Sequence, residues 1–121
     1  MFLVKEISDN IYYMKLSKIN EDEFNTYKQS LVDIFLKKIN FKIIFDLSDI
    51  YVEDFLYSKD QIEIMYTNKN NTEKYLDKSS IIIKSNVIKN IVNNIIFSIY
   101  KPCKPNIFTT SYEDALYFLQ K

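Results

Sequence analysis

Hydrophobic and polar residues alternate at the start of the chain as they do in β-strands. The segment Phe2 to Ile7 alternates weakly, and the segment Ile11 to Leu16 alternates clearly, with Tyr12, Met14 and Leu16 on one face. The Ser-Asp-Asn sequence between them is typical of a tight turn, because Asp and Asn side chains bond their own backbone there. We therefore predict an opening β-hairpin.

A helical pattern follows the hairpin. Apolar residues recur at helical spacing across Glu21 to Lys38, and Asn20 stands where an N-cap belongs. Glu23 lies at the third helical position, as in a capping box, and Ile19 and Phe24 are placed for a hydrophobic staple across the cap. Acidic residues in the first turn suit the positive end of the helix dipole. This segment is the clearest helix in the sequence.

Three short apolar segments later in the chain predict strands. Phe41 to Phe45 and Ser80 to Lys84 are almost unbroken runs, which favour strands covered on both faces. Asn106 to Thr110 is a shorter candidate near the end of the chain. These segments are the expected interior of a sheet.

Helices are predicted between these strands and after the last one. Ser58 is placed as the cap of a second helix, and whether that helix continues through the Thr-Asn-Lys-Asn-Asn segment stays open. Asn86 is the predicted cap of a third helix, which should end before Pro102. Thr110 or Ser111 caps a last helix. The third helix carries the strongest apolar stripe: Val87, Ile88, Ile91, Val92, Ile95, Ile96 and Ile99.

The predicted order is β-β-α-β-α-β-α-β-α in a single domain that spans residues 1–121. Strands that alternate with helices pair in parallel through right-handed crossovers. We therefore expect an α/β fold with a mixed, mostly parallel sheet, an N-terminal hairpin and helices packed on the sheet. A chain of 121 residues is long enough to bury a core without metals or disulfides.

Composition limits the chemistry that this chain can perform. The sequence has no Arg, His, Gly or Trp, and 16 Lys balance 16 acidic residues. This bias indicates an AT-rich genome, since the absent or rare Gly, Ala, Arg and Pro have GC-rich codons, while the abundant Ile, Asn, Lys and Tyr have AT-rich ones. The absences exclude glycine-rich phosphate loops, histidine-based nucleophilic couples and bidentate arginine clamps. Zero net charge with scattered lysines argues against a nucleic-acid partner.

The sequence shows neither a targeting signal nor a cysteine pattern that indicates a disulfide or a catalytic thiol. The N-terminal segment does not read as a signal peptide, and no apolar run approaches the roughly 18 residues of a membrane span. Cys103 is the only cysteine, so no internal disulfide can form, and without histidine a cysteine nucleophile has no base. We expect a soluble cytoplasmic protein without a transmembrane segment and without a cofactor.

Two segments resemble the STAS domain, the family of anti-sigma-factor antagonists and their relatives. "FKIIFDLSDIYVED" is similar to the family's third strand, in which apolar residues precede Asp-Leu-Ser and a later Asp. "NIFTTSYEDALYFLQ" resembles the family's ending, a short strand followed by a capped helix with Ala-Leu. The hairpin and the helix–strand order extend the resemblance over nearly the whole chain. It implies a STAS-like fold and a regulatory domain that binds a protein partner.

The chain departs from this family where the regulatory members carry their phosphorylated residue. In those members the closing Asp is followed by Ser-Ser/Thr-Gly. Here Asp54 matches the Asp, but Phe55, Leu56 and Tyr57 follow it. Ser58 is the nearest hydroxyl, so it is a weak candidate for phosphorylation, and helix capping explains it more simply. The usual phospho-switch is not retained at its expected place.

The acidic residues after the third strand allow an alternative. Asp46 and Asp49 lie beyond a predicted parallel strand, where open α/β sheets place their sites, and carboxylates can bind Mg²⁺. A small Mg²⁺-dependent enzyme is therefore the alternative to a binding domain. The simpler interpretation is that these acids solvate the loop and cap turns. A third alternative, a lipid or small-ligand-binding domain, requires an apolar cavity between the sheet and a helix.

The sequence thus favours a non-enzymatic protein–protein interaction domain. Its expected partner-binding residues are Asp54, Phe55, Tyr57 and Ser58, with the two aromatic residues as anchors, since exposed aromatics dominate binding surfaces. The protein partner is unknown. Uncapped strand edges are also compatible with a homodimer.

Overall fold

The segments predicted as strands form one five-stranded sheet, and helices pack on both of its faces. The structure, a computed structural model, describes residues 1–18, 20–99 and 101–121, and the side chains of these except 55–58, 95 and 99. The strands are β1 (Phe2–Ser8), β2 (Ile11–Leu16), β3 (Phe41–Asp46), β4 (Leu76–Ile82) and β5 (Asn106–Thr109). The helices are α1 (Glu21–Leu36), α2 (Ser58–Thr67), α3 (Lys69–Tyr75), α4 (Asn86–Ile91), α5 (Phe97–Ile99) and α6 (Tyr112–Gln120). A 3₁₀ helix (Val52–Tyr57) precedes α2, and a π-helical turn (Val92–Ile96) joins α4 to α5.

The sheet has the order β1-β2-β3-β4-β5. The hairpin β1–β2 is antiparallel and every later pair is parallel. Asn10 makes the hairpin turn with φ of 62°, a left-handed conformation that Asn tolerates better than most residues. The predicted α/β class, element order and mixed sheet are confirmed.

Both faces of the sheet are covered, but unequally. The first face packs against α1 and α2 around Met14 and Ile43, and this core continues under α4 through Ile81 and Ile88. The opposite face packs against α6, whose Leu119 is fully buried. Successive right-handed crossovers place the connecting helices on one side. Only the terminal helix is then left for the other side, over β3, β4 and β5.

The cap of α1 forms as the sequence predicts. Asn20 Oδ1 accepts a hydrogen bond from the backbone N–H of Glu23 at 2.8 Å. The Glu23 carboxylate does not return to the cap, however, because it pairs with the ammonium group of Met1 at 2.7 Å. The helix ends at Leu36, two residues earlier than predicted, and Lys38 turns the chain with φ of 54°. The predicted staple involves Ile19, which lies outside the described residues.

Two further predicted boundaries are wrong. Strand β4 begins at Leu76 rather than Ser80, because the sheet extends over residues whose polarity gave no strand signal. Helix α4 is capped by Ser85, whose Oγ accepts from the N–H of Ile88 at 3.4 Å, so Asn86 is the first helical residue. Ile88, Val92 and Ile96 of the predicted stripe are buried as expected. Val87, expected in the apolar stripe, is 60% exposed.

Candidate functional site

The loop after β3 is organised by Asp46, the last residue of that strand. The Tyr13 hydroxyl donates to Asp46 Oδ2 at 2.5 Å. Ser48 donates to Oδ1 twice, from its backbone N–H at 2.9 Å and from its hydroxyl at 2.6 Å. The parallel register of β2 and β3 brings Tyr13 opposite Ile44, two residues before Asp46 on the same face. Asp46 therefore ties the loop to a neighbouring strand.

These hydrogen bonds shift the pKa values of Asp46 and Tyr13. Burial by itself would raise the pKa of Asp46, but the hydrogen bonds from Ser48 and Tyr13 and the nearby charge of Lys15 outweigh it and lower that pKa. Burial, reinforced by the hydrogen bond to Asp46, raises the pKa of Tyr13. A general base needs a pKa near the working pH. A carboxylate whose pKa is lowered is a poor base for Ser48, so this contact is better suited to holding the loop than to activating a nucleophile.

Asp49, the second acid of the predicted metal pair, has a different partner. Its Oδ2 lies 2.7 Å from Lys15 Nζ, and the Asp49 side chain is largely exposed. Among the described residues, no three His, Cys, Asp or Glu side chains are grouped so that they could hold one ion. The Mg²⁺-dependent enzyme stays a prediction, and its two acids are engaged in protein contacts.

Asp54 is buried rather than placed at a surface rim, with 8% of its area exposed. Its Oδ2 accepts from the backbone N–H of Tyr51 at 2.9 Å and from that of Lys18 at 3.2 Å. These two donors belong to separate loops, one after β2 and one after β3. One carboxylate therefore holds both loops together at the carboxyl end of the parallel strands. This role was not predicted, because it depends on a contact between residues 36 positions apart.

Exposed apolar side chains stand on the loop that Asp54 fixes. Tyr51 is 51% exposed and Val52 is 55% exposed. Lys18 Nζ lies 5.6 Å from the centre of the Tyr51 ring, in a cation–π contact. The 3₁₀ helix Val52–Tyr57 continues from this loop into α2. The side chains of the predicted anchors, Phe55 and Tyr57, and of Ser58 lie outside the described residues.

An apolar cavity of about 120 Å³ lies on the first face of the sheet, between α1, α2 and the segment that leads into β5. The side chains that line it include Tyr27, Phe35, Ile43, Ile64, Ile81 and Phe97. Polar groups occupy one part of the wall, where Asn106 Nδ2 donates to Ser79 Oγ at 2.6 Å. The exposed Cys103 also lines the cavity. The sequence could not locate this cavity, because its lining residues come from segments that are distant along the chain.

The hairpin, the parallel strands in consecutive order and the intervening helices define a STAS-like fold. Among solved structures, the chain is similar to an uncharacterised protein of the DUF3478 family from Shewanella loihica PV-4, described as having a SpoIIAA-like fold. The two share 12% sequence identity with a TM-score of 0.66, over 98% of this chain and 92% of the other. No family model and no curated protein matches the sequence. The predicted resemblance to the STAS fold is therefore confirmed at the level of the fold.

Within the described part of the chain, no helix is long and apolar enough to cross a membrane.

Proposed function

We propose that this chain is a non-enzymatic interaction domain that docks a protein partner at the carboxyl end of β3. The docking surface comprises Tyr51, Val52 and the turn that leads through Asp54 into α2. The observation that carries the proposal is the pair of exposed apolar side chains on a loop fixed from beneath by a buried carboxylate. Large side chains on a preorganised backbone bind at a lower entropic cost than side chains on a mobile loop.

Asp54 has a positioning role in this proposal. Its hydrogen bonds to the backbone of Tyr51 and Lys18 set the path of both loops. Replacing Asp54 would therefore weaken binding by releasing the loops, whereas replacing an anchor would remove the contact itself. Phe55 and Tyr57 are proposed as further anchors, since they follow Asp54 on the same 3₁₀ helix.

The proposal is tested by comparing two matched tyrosine variants. Tyr51→Asp places a charge on the docking surface, and Tyr117→Asp places the same charge on α6, where Tyr117 is 67% exposed. Both variants, Phe55→Asp and the wild type are used as bait in a lysate of the source organism, and bound proteins are quantified by mass spectrometry. A specific partner should disappear with Tyr51→Asp and Phe55→Asp and persist with Tyr117→Asp. A partner retained by both docking-surface variants contradicts the proposal.

Ser58 is proposed as a phosphorylation candidate near this surface. Ser58 is the first residue of α2 and follows the 3₁₀ helix directly, so it is not the helix cap that the sequence predicted, and it is the first serine after Asp54. Phosphopeptide mapping of the protein isolated from its source checks this assignment. A phosphate found only at other residues, with Ser58 unmodified, would contradict the proposed phosphorylation of Ser58.

Binding of a small apolar ligand is a second candidate function, and the cavity beneath α1 and α2 favours it. Its volume of about 120 Å³ is close to that of engineered cavities, about 150 Å³, that bind a single benzene ring. The ligand would therefore be one aromatic ring or a short alkyl chain. Its polar end would lie at Ser79 and Asn106, where the wall offers hydrogen-bonding groups.

Thermal unfolding with straight-chain alcohols and simple aromatics as probes tests this second candidate. A ligand that binds only the folded protein raises Tm as its concentration increases. Ile81→Phe adds volume at the cavity wall and should remove the shift, while Leu116→Phe on the opposite face should keep it. Equal shifts in both variants would show that the probes do not enter the cavity.

A further inference from the structure

The two edges of the sheet differ in how they are protected. Strand β5 has four residues and is preceded by Pro105, features that limit pairing at an edge. Strand β1 at the other edge has seven residues and no proline, and its register is regular from Phe2 to Glu6, before an irregularity between Glu6 and Ser8. Long strands at a sheet edge present a row of backbone donors and acceptors to other chains. The β1 edge is therefore the open one.

The hydrogen-bond pattern of the hairpin shows which groups face outwards on β1. The backbones of Met1 and Ser17 exchange hydrogen bonds in both directions, which marks a hydrogen-bonded pair. In an antiparallel ladder such pairs alternate with pairs whose N–H and C=O groups point away. The register therefore directs the backbone groups of Phe2, Val4 and Glu6 towards the open edge.

We propose that β1 pairs antiparallel with β1 of a second copy of this chain, about a two-fold axis at Val4. In this register Val4 forms a hydrogen-bonded pair with the partner's Val4, and Phe2 forms one with the partner's Glu6. The ladder uses the outward groups of all three residues. The two sheets then become one continuous sheet.

Side-chain charges select this register from the alternatives. Centring the pair on Lys5 sets two lysines directly opposite each other, and centring it on Glu6 opposes two carboxylates, both of which are destabilising. Centring it on Leu3 places Glu6 beyond the end of the partner's strand, so that no residue lies opposite it. The Val4 register is the longest one without a directly opposed like charge, and a self-complementary register favours a second copy of this chain over an unrelated strand.

The exposed face of the strand is also complementary in this register. Leu3 is 44% exposed, and it would lie opposite the partner's Lys5. The alkyl part of a lysine can cover apolar surface while its ammonium group stays in water. One edge strand per copy gives an interface below about 1,200 Å², in the class of weak and transient contacts, so the dimer should dissociate on dilution.

Sedimentation equilibrium of the full chain and of two variants, Val4→Pro and Val4→Ala, tests the proposal. The wild type should change from monomer to dimer between about 1 µM and about 1 mM, the range in which small interfaces dissociate. Val4→Pro removes an outward N–H and should stay monomeric, while Val4→Ala keeps that N–H and should still dimerise. A wild type that is monomeric throughout, or a folded Val4→Pro that dimerises normally, would overturn the proposal.

Disulfide trapping tests the register, and it stays informative if Val4→Pro does not fold. Leu3→Cys and Lys5→Cys are made separately in a Cys103→Ser background. In the proposed register these positions face each other as a non-hydrogen-bonded pair with Cα atoms about 4.5 Å apart, within the reach of a disulfide. A mixture of the two proteins should form the mixed disulfide on oxidation, and each protein alone should not form its own. Self-linkage of Lys5→Cys without the mixed product would overturn the Val4 register.

Discussion

The hydrogen bond from Tyr13 to Asp46 yields a prediction that can be measured directly. Asp46→Ala removes the acceptor for the Tyr13 hydroxyl and for both donors of Ser48, and Tyr13→Phe removes a single donor. A hydrogen bond to a charged group contributes about 1.5 to 3 kcal/mol. Tyr13 is half-buried and can regain water, so we expect its bond to lie near the lower limit. Tyr13→Phe should then destabilise the protein by about 1.5 kcal/mol and Asp46→Ala by about 3 kcal/mol.

A double-mutant cycle isolates this bond from other effects of the substitutions. The double variant should be only slightly less stable than Asp46→Ala, with a coupling energy of about 1.5 kcal/mol between Tyr13 and Asp46. Because the chain has no tryptophan, urea unfolding is followed by circular dichroism. Tyr117→Phe on the exposed face of α6 is the control, and it should change stability by less than about 0.5 kcal/mol.

The same pair predicts the pH dependence of stability. The pKa of Asp46 is lower in the folded state than in the unfolded state, so its contribution is present above the ordinary carboxyl pKa near 4 and is lost as pH falls through the folded value. The pKa of Tyr13 is raised by folding, so its contribution is present below about pH 10 and is lost as pH rises further. The deficit of Asp46→Ala should therefore be constant between these limits and shrink in acid. A coupling energy near zero at neutral pH, or a deficit that persists unchanged in strong acid, would refute the reasoning.

Three further measurements test the core and the acids. Ser80→Ala removes a fully buried hydroxyl that donates to the Ala115 carbonyl at 2.9 Å. It should lower the free energy of unfolding in urea by about 1 kcal/mol, and unchanged stability would contradict this contact. Leu119→Ala empties a fully buried site and should cost about 3 kcal/mol, clearly more than Leu116→Ala at its half-buried neighbour, and equal costs would contradict the packing of α6. Millimolar Mg²⁺ should leave Tm unchanged. A rise in Tm that Asp46→Asn abolishes would instead support the metal-dependent enzyme.

Local signals in the sequence were sufficient for much of the fold. The Asn20 cap and the acidic first turn of α1 are encoded within a few residues, and the structure has the helix start at the predicted place. The third helix shows the limit of such signals. Ser85 and Asn86 are both good caps, and local signals do not decide between them. Ile88, Val92 and Ile96 of the predicted stripe are buried, whereas Val87 is exposed, so the buried stripe is narrower than the spacing of apolar residues suggested.

The candidate site could not be predicted to the same extent, because its contacts join distant segments. Asp46 meets Tyr13 across 33 positions, and Asp54 meets the backbone of Lys18 across 36. The sequence identified both acids but did not specify their partners. The structure shows that these carboxylates accept hydrogen bonds from hydroxyl and backbone donors, which agrees better with a fixed binding surface than with a reactive centre.

The two proposed interactions occupy different parts of the sheet. The docking surface lies at the carboxyl ends of the parallel strands, while the dimer uses the outer edge of β1. A two-fold axis at Val4 pairs the strands antiparallel, so the carboxyl ends of the two sheets point in opposite directions. Each copy in the dimer would thus present Tyr51 and Val52 at its own end of the continuous sheet. Val4→Pro should therefore abolish the dimer without loss of the partner, and Tyr51→Asp should abolish partner binding without loss of the dimer.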